Sequence, residues 1–286
     1  MKISNRQYGF LLNLPGLIIV LVWVLFPTFL LVQTSFLRYD NINPIKFVGW
    51  GNYRAVLSDR LFWMSLERII TFCIGTTALT FILGLVLALA LSRITKGSGL
   101  LRSLMIVPWA VPAVVSGIIW KWIFSPDFGV VSHLLMKLRL VKEPLSIYGN
   151  PNLAMLGVIL ADSWTRIPFM AVILLAALLS IPQELYEAAK VDGANALDRF
   201  AFISMPLIKG PVLVGLLITV MFSFRTIDII IPLTGGGPGK ATYVFGYYIW
   251  DQIVKTLNFG VAAAAGVILF IMTGLITSGF VFLLRR

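Results

Sequence analysis

The sequence predicts an all-α integral membrane protein with six transmembrane helices, and three observations predict it. Of 286 residues, 59% are hydrophobic and only 12% are charged, about half the charged share of a soluble domain, which is near 25%. Six apolar stretches reach the roughly 20 residues that a helix needs to cross a hydrocarbon core about 30 Å thick. Backbone N–H and C=O groups in lipid find no water, so each stretch must satisfy them internally, and an α-helix does so.

The first stretch, 8–35, follows a basic start at Lys2 and Arg6. Its apolar run is longer than the h-region of a secretory signal and no small-residue cleavage site follows, so it reads as a retained helix. The others run over 69–91, 103–124, 153–179, 211–233 and 259–284. Cys73 lies in the second stretch and reads as a buried structural thiol, and His133 has no companion ligands for a metal. Between the first two stretches, Trp50, Tyr53, Phe62 and Trp63 read as rings at a water boundary, beside a short helix over 52–57. In 125–152, Val130, Leu134, Leu135 and Leu138 recur at helical spacing and predict an amphipathic surface helix. The 234–240 run, TGGGPGK, is a turn by its glycine and proline content. It is not a phosphate-binding P-loop, because Thr234 stands where that motif needs glycine and Ala241 where it needs Ser or Thr.

The net charge of +11 would point to nucleic acid in a soluble protein. Here basic residues flank membrane spans, where they set orientation and contact lipid, and no nucleic-acid partner is expected. The short connection carrying Arg93, Lys96 and Arg102 holds no acid, so the density of positive charge favours an N-in, C-in topology.

One polar segment stands apart. Between the fourth and fifth stretches, 180–209 forms a cytoplasmic insert with helical patterning of its own. Ser180 and Gln183 have the spacing of a capping box, and Pro182 is tolerated in a first turn. Leu185, Ala188 and Ala189 mark one face, Gly193 breaks that helix, a second helix starts at Asn195 with Asp198 in its first turn, and Pro206 stops it. The result is a helix-turn-helix whose alanines keep its tip narrow enough to enter a groove on another protein. Glu187, Ala188 and Ala189 are followed after three residues by Gly193, after nine more by Ile203 and after two more by Pro206.

That spacing resembles the EAA coupling loop of ABC importer permeases. With the blocks FVGWGNY, VPWAVPAVVSGIIWKWIFSPDFG, SFRTIDIIIPLTGGGP and NFGVAAAAGVIL, the chain resembles permease subunits of binding-protein-dependent sugar and glycerol-phosphate importers over nearly its whole length. The resemblance implies a single type-1 transmembrane domain over 1–286. It also implies a second homologous permease, two copies of an ABC ATPase carrying ATP and Mg, and a periplasmic or extracellular solute-binding protein. Glu187, Ala188, Ala189, Asp192, Gly193, Ala194, Ile203 and Pro206 would carry ATPase coupling. The chain itself would be no enzyme, bind no cofactor or metal, and sit in a bacterial or archaeal cytoplasmic membrane among its lipids. The extra N-terminal helices and large external insertion of the bigger maltose-type subunit have no counterpart in this sequence, so the six-helix permeases are the expected relatives.

Ionisable groups inside membrane spans are costly and face a cavity or a partner charge. Asp162 and Arg166 are four apart on the fourth stretch, around Trp164; Arg225 and Asp228 are three apart on the fifth, beside Ser223 and Thr226; Trp120 and Lys121 end the third. Asp162, Trp164, Arg166, Ser223, Asp228, Trp120 and Lys121 are therefore the candidate substrate path. The indoles would offer flat platforms to a sugar ring, and Lys121 and Arg166 counter-charges to an anionic one. Packing and intramembrane ion pairs remain the alternative for these side chains. On the residues alone, an ATP-independent secondary transporter or channel also remains open, although it needs no fixed-spacing insert.

Overall fold

The computed structural model describes residues 5–94 and 98–285. Lys2 and Lys96, two of the basic residues named above, lie outside them. The described chain is helical apart from one small hairpin. In order, it runs through α1 (Asn5–Val20), a π-helical turn (Leu21–Leu25), α2 (Phe26–Ser35), strands β1 (Leu37–Arg38) and β2 (Lys46–Phe47), α3 (Gly51–Ser58) and α4 (Arg60–Ser92). Helices α5 (Ser98–Ala110), α6 (Ala113–Ile123), α7 (Val130–Lys137) and α8 (Pro151–Leu179) follow. After them come α9 (Gln183–Val191), α10 (Ala196–Arg199), a second π-helical turn (Phe200–Ser204), α11 (Met205–Leu207), α12 (Lys209–Phe224), α13 (Ile230–Leu233), α14 (Phe245–Val254) and α15 (Phe259–Leu284).

Among the described residues, four helices are long and apolar enough to cross a bilayer, and the number reaches six if each of two bent pairs counts as one span. Sequence and structure differ at the third and the fifth stretch. The third stretch is broken: α5 and α6 meet at 95°. Pro108 lies inside α5 and Pro112 stands at the N-cap of α6. A proline withdraws its own N–H and pushes the preceding residue out of the helical region, so the chain turns where hydropathy alone continues. The fifth stretch ends early. Helix α12 stops at Phe224, the backbone leaves helical geometry at Arg225, and only the four-residue α13 resumes before Thr234. The second helix, by contrast, starts at Arg60, ahead of the apolar run.

The contacts divide the chain into two compact units. The first holds the chain up to Trp63 together with Tyr248–Met272. Its hairpin pairs Leu37 with Phe47 and Arg38 with Lys46 in antiparallel register. Asn52, buried at the start of α3, donates from its side-chain amide to the carbonyls of Ser35 (2.9 Å) and Leu37 (2.8 Å). Gly260 on α15 lies against the same amide, where an added Cβ would sit 2.9 Å from Asn52 Nδ2. Of the four predicted boundary rings, Trp50 and Trp63 are exposed, and Tyr53 packs on Trp50 at 5.1 Å between centroids. Phe62 corrects the expectation, because it is fully buried against Tyr248 at 6.1 Å. The short helix spans one residue more at each end than expected.

The second unit holds Met64–Tyr247 and Thr273–Arg286. Its axis is α8, started by Asn150, whose side chain accepts from the Asn152 N–H at 2.9 Å, with Pro151 preset at the first helical position. Helices α5, α6 and α12 pack on it. Ala88, Leu91, Met170, Leu174, Leu178, Ile208 and Val212 form the core at one end. Met170 is fully buried, and glycines let two backbones close on it: a Cβ on Gly84 would meet its side chain at 2.7 Å, and one on Gly215 its sulfur at 2.7 Å. Small residues at helix contacts allow the close packing that replaces the hydrophobic drive in lipid. Amphipathic α7 covers the predicted segment, with Val130 and Leu134 exposed.

Candidate functional site

Two features of the second unit bear on function. The first is the helix-turn-helix after α8. Ser180 does not cap α9: its hydroxyl donates back to Ala177 O at 2.7 Å and closes α8, while Pro182 occupies the N-cap of α9. The capping box forms one helix later. Asn195 accepts from the N–H of Leu197 (2.8 Å) and Asp198 (3.1 Å), and Asp198 accepts from the Asn195 N–H (3.0 Å). Between the helices, Gly193 has φ +84, a left-handed conformation that an L side chain enters at a cost. Among the described residues, nothing beyond its chain neighbours lies within 4 Å of where its Cβ would be.

The second helix does not stop at Pro206. A π-helical turn over Phe200–Ser204 carries the Met205 N–H to Phe200 O, and Pro206, with no N–H to give, follows inside the first turn of α11. The break comes at Ile208, where the chain bends by 69° into α12. Glu187, Ala188, Asp192 and Gly193 are exposed, as is Pro206; Ala189, Ala194 and Ile203 are half-buried. Around the turn stand three apolar side chains that the motif does not name: Val191 (88% exposed), Leu197 (77%) and Phe202 (79%). Their mark in the sequence is faint, because isolated apolar residues in a polar segment read as the inner face of its helices.

The second feature is a cavity of about 740 Å³ on α8 and α12, whose lining includes Asp162, Arg166, Arg225 and Asp228. Asp162 is 2% exposed and is held by Arg166 through two bonds, Nε to Oδ2 at 2.5 Å and Nη2 to Oδ1 at 2.9 Å. Arg166 reaches on to Thr226 Oγ1 at 3.0 Å, which ties α8 to the segment just past α12. This bidentate fork fits a planar guanidinium to a carboxylate, so the four-residue spacing forms the ion pair that the sequence left open as the alternative to a substrate role. Arg225 and Asp228 are different. Both are exposed, both line the cavity, and among the described residues neither stands in an ion pair. The end of α12 at Phe224 separates them from the helical three-residue spacing that would have joined them.

The cavity takes in Asp162, Arg166 and Asp228 from the predicted path but not Trp120, Lys121, Trp164 or Ser223. Trp120 and Trp164 form an edge-on pair at 6.1 Å, Ser223 is fully buried, and Lys121 is exposed in the last turn of α6. The aromatic wall is built instead by Trp109 and Phe169, stacked at 6.0 Å and 13°, and by Phe222, over which both Arg166 and Arg225 lie within 6 Å of the ring centre. Trp109 follows Pro108 at the break in the third stretch, and that break was the one available sign of it.

The comparisons agree on what this arrangement is. A family described as "Binding-protein-dependent transport system inner membrane component" matches residues 80–286. The trehalose/maltose transport system permease protein MalF of Thermococcus litoralis is 37% identical, covering 95% of this chain and 92% of its own length. The sn-glycerol-3-phosphate transport system permease protein UgpA of Agrobacterium fabrum is 34% identical over 96% of this chain and 93% of its own. A crystal structure of a bacterial ABC transporter involved in the import of the acidic polysaccharide alginate shares the fold, with a TM-score of 0.83 over 98% of this chain and 96% of that one, at 22% identity. This chain belongs to the family of binding-protein-dependent inner-membrane transport components, as a multi-pass permease subunit of an ABC importer.

Proposed function

We propose that this permease carries a sugar, polyol or sugar phosphate through the cavity on α8 and α12, and that the α9–α11 hairpin seats in a groove of an ABC ATPase. Family membership makes the chain the non-catalytic transmembrane component, with ATP bound by a separate ATPase, and excludes the secondary-transporter alternative. In this reading a second homologous permease and two ATPase copies complete the complex, both termini face the cytoplasm, and the whole chain acts as one transmembrane domain.

The observation that carries the reading is the exposure of Val191, Leu197 and Phe202 around Gly193. Apolar side chains exposed to that degree at the tip of a polar hairpin are anchors awaiting a partner surface, and buried aromatic anchors dominate interface energies. Glu187 and Asp192 beside them would fix register at the polar rim. The sugar reading draws support from the cavity's aromatic wall with charged groups at its edge, the usual composition of a site for a polar ring. It draws support as well from relatives named for trehalose, maltose and glycerol phosphate.

The experiment is co-purification of the ATPase with the Phe202→Asp permease. A carboxylate in that interface is expected to cost about 2 kcal/mol or more, as for hot-spot residues, and so to reduce ATPase recovery at least tenfold with permease still in the membrane. Full recovery together with normal uptake would reject the docking role.

A further inference from the structure

A second cavity, of about 380 Å³, opens where α4 and α8 end and the hairpin begins. Its polar side carries Arg93, Lys190 and Arg199 with the hydroxyl of Tyr186, and its apolar side carries Leu89 and Leu178. Three cations converge on it and, among the described residues, no carboxylate lines it and none of the three stands in an ion pair. That is unexpected on a hairpin bearing Glu184, Glu187, Asp192 and Asp198. Two contacts hold the wall in place. Arg199 donates from Nη1 to Ala194 O at 2.5 Å, and Tyr186 Oη lies 2.9 Å from Ser204 Oγ. Among the described residues, no hydrogen bond ties the exposed Arg93 and Lys190 side chains to this lining, and like charges gathered without an anion repel one another.

We infer that this cavity is a phosphate-binding site, taking either the headgroup of an anionic phospholipid or a dissolved phosphate. The position suits both. Leu89 and Leu178 belong to the last turns of two helices apolar enough to span a membrane, so the cavity meets the level where headgroups lie. Basic pockets between spanning helices at that level collect anionic headgroups, and guanidinium donors fit phosphate oxygens in pairs. Because Lys190 and Arg199 stand on the hairpin while Arg93 follows α4, a bound phosphate would bridge the hairpin to the membrane helices and stiffen it. The inference does not depend on which solute the permease carries.

The test is native mass spectrometry of the assembled importer in nanodiscs. One arm uses phosphatidylglycerol against phosphatidylcholine; the other uses phosphatidylcholine with added inorganic phosphate. The wild type is expected to retain one more phosphatidylglycerol, or one phosphate, per copy of this chain than the Arg93→Gln/Arg199→Gln variant, with affinity at least tenfold higher. Retained phosphatidylcholine should be the same in both. The arm in which the difference appears names the source. The charge-keeping Arg93→Lys/Arg199→Lys pair is expected to recover at least half of the occupancy. Equal retention in both arms, or a lysine pair as empty as the glutamine pair, overturns the proposal. Mass readout keeps this result separate from transport, so a failure here and a failure of the docking role can be told apart.

Discussion

Gly193→Val reduces solute uptake at least tenfold and leaves the amount of permease in the membrane unchanged. The expectation follows from the backbone. Gly193 holds φ +84 between α9 and α10, and a left-handed residue with a Cβ costs about 1–2 kcal/mol, more when the side chain is β-branched. Among the described residues, no atom beyond the chain neighbours lies within 4 Å of the added Cβ, so its bulk displaces none of them. What changes is the angle between the helices that present Val191 and Leu197, and a loss of about 1.4 kcal/mol in docking is tenfold. Gly193→Asn separates strain from bulk, because asparagine tolerates the left-handed region; it should keep most of the uptake. Uptake by whole cells, set against permease content of the membrane fraction, makes the measurement. Wild-type uptake in the valine variant would remove the hairpin from the mechanism.

Asp162→Ala should produce the largest loss of stability of any single change at the cavity, about 3 kcal/mol. The carboxylate is buried, and its removal leaves the Arg166 guanidinium with the Thr226 hydroxyl and the face of the Phe222 ring but no counter-charge. Breaking one side of a buried pair costs about 3–5 kcal/mol, and the lower end applies because Arg166 keeps 18% side-chain exposure. Replacing both partners, as Asp162→Ala/Arg166→Leu, removes the stranded charge and should recover most of that loss, the coupling expected of residues in direct contact. Unfolding midpoints of the solubilised complex test this. A single variant as stable as the wild type would mean that the pair adds nothing to the fold.

The membrane class, the paired Asp162 and Arg166 and the hairpin around Gly193 could all be read from the residues, for a shared reason. Each rests on local physics: hydropathy over one helix length, a four-residue spacing on one face, and a glycine at a helix end. The misread features depend on tertiary context. Hydropathy continues through Pro112 and past Phe224, so it could not register the 95° turn or the early end of α12. Those two breaks supply the cavity's wall, because Trp109 stands just before the first and Arg225 with Asp228 just after the second. Trp120 and Trp164, candidate sugar platforms, meet edge-on and lie outside the lining of this cavity. Ser180 looked like the cap of α9, yet it closes α8, since Pro182 already sets the entry of the next helix. Exposure of Val191, Leu197 and Phe202 was beyond reach because isolated apolar residues in a polar segment read as the inner face of its helices.

The role proposed for the hairpin is to pass the energy of ATP from a separate ATPase to movement of a solute. The most direct measurement is ATP hydrolysis by the reconstituted importer, with and without solute-loaded binding protein, across a panel of sugars and sugar phosphates. Stimulation by one member of the panel is expected, with loss of that stimulation in the Gly193→Val complex. Stimulation that persists unchanged in the variant, or solute movement that continues without ATP, would contradict that role.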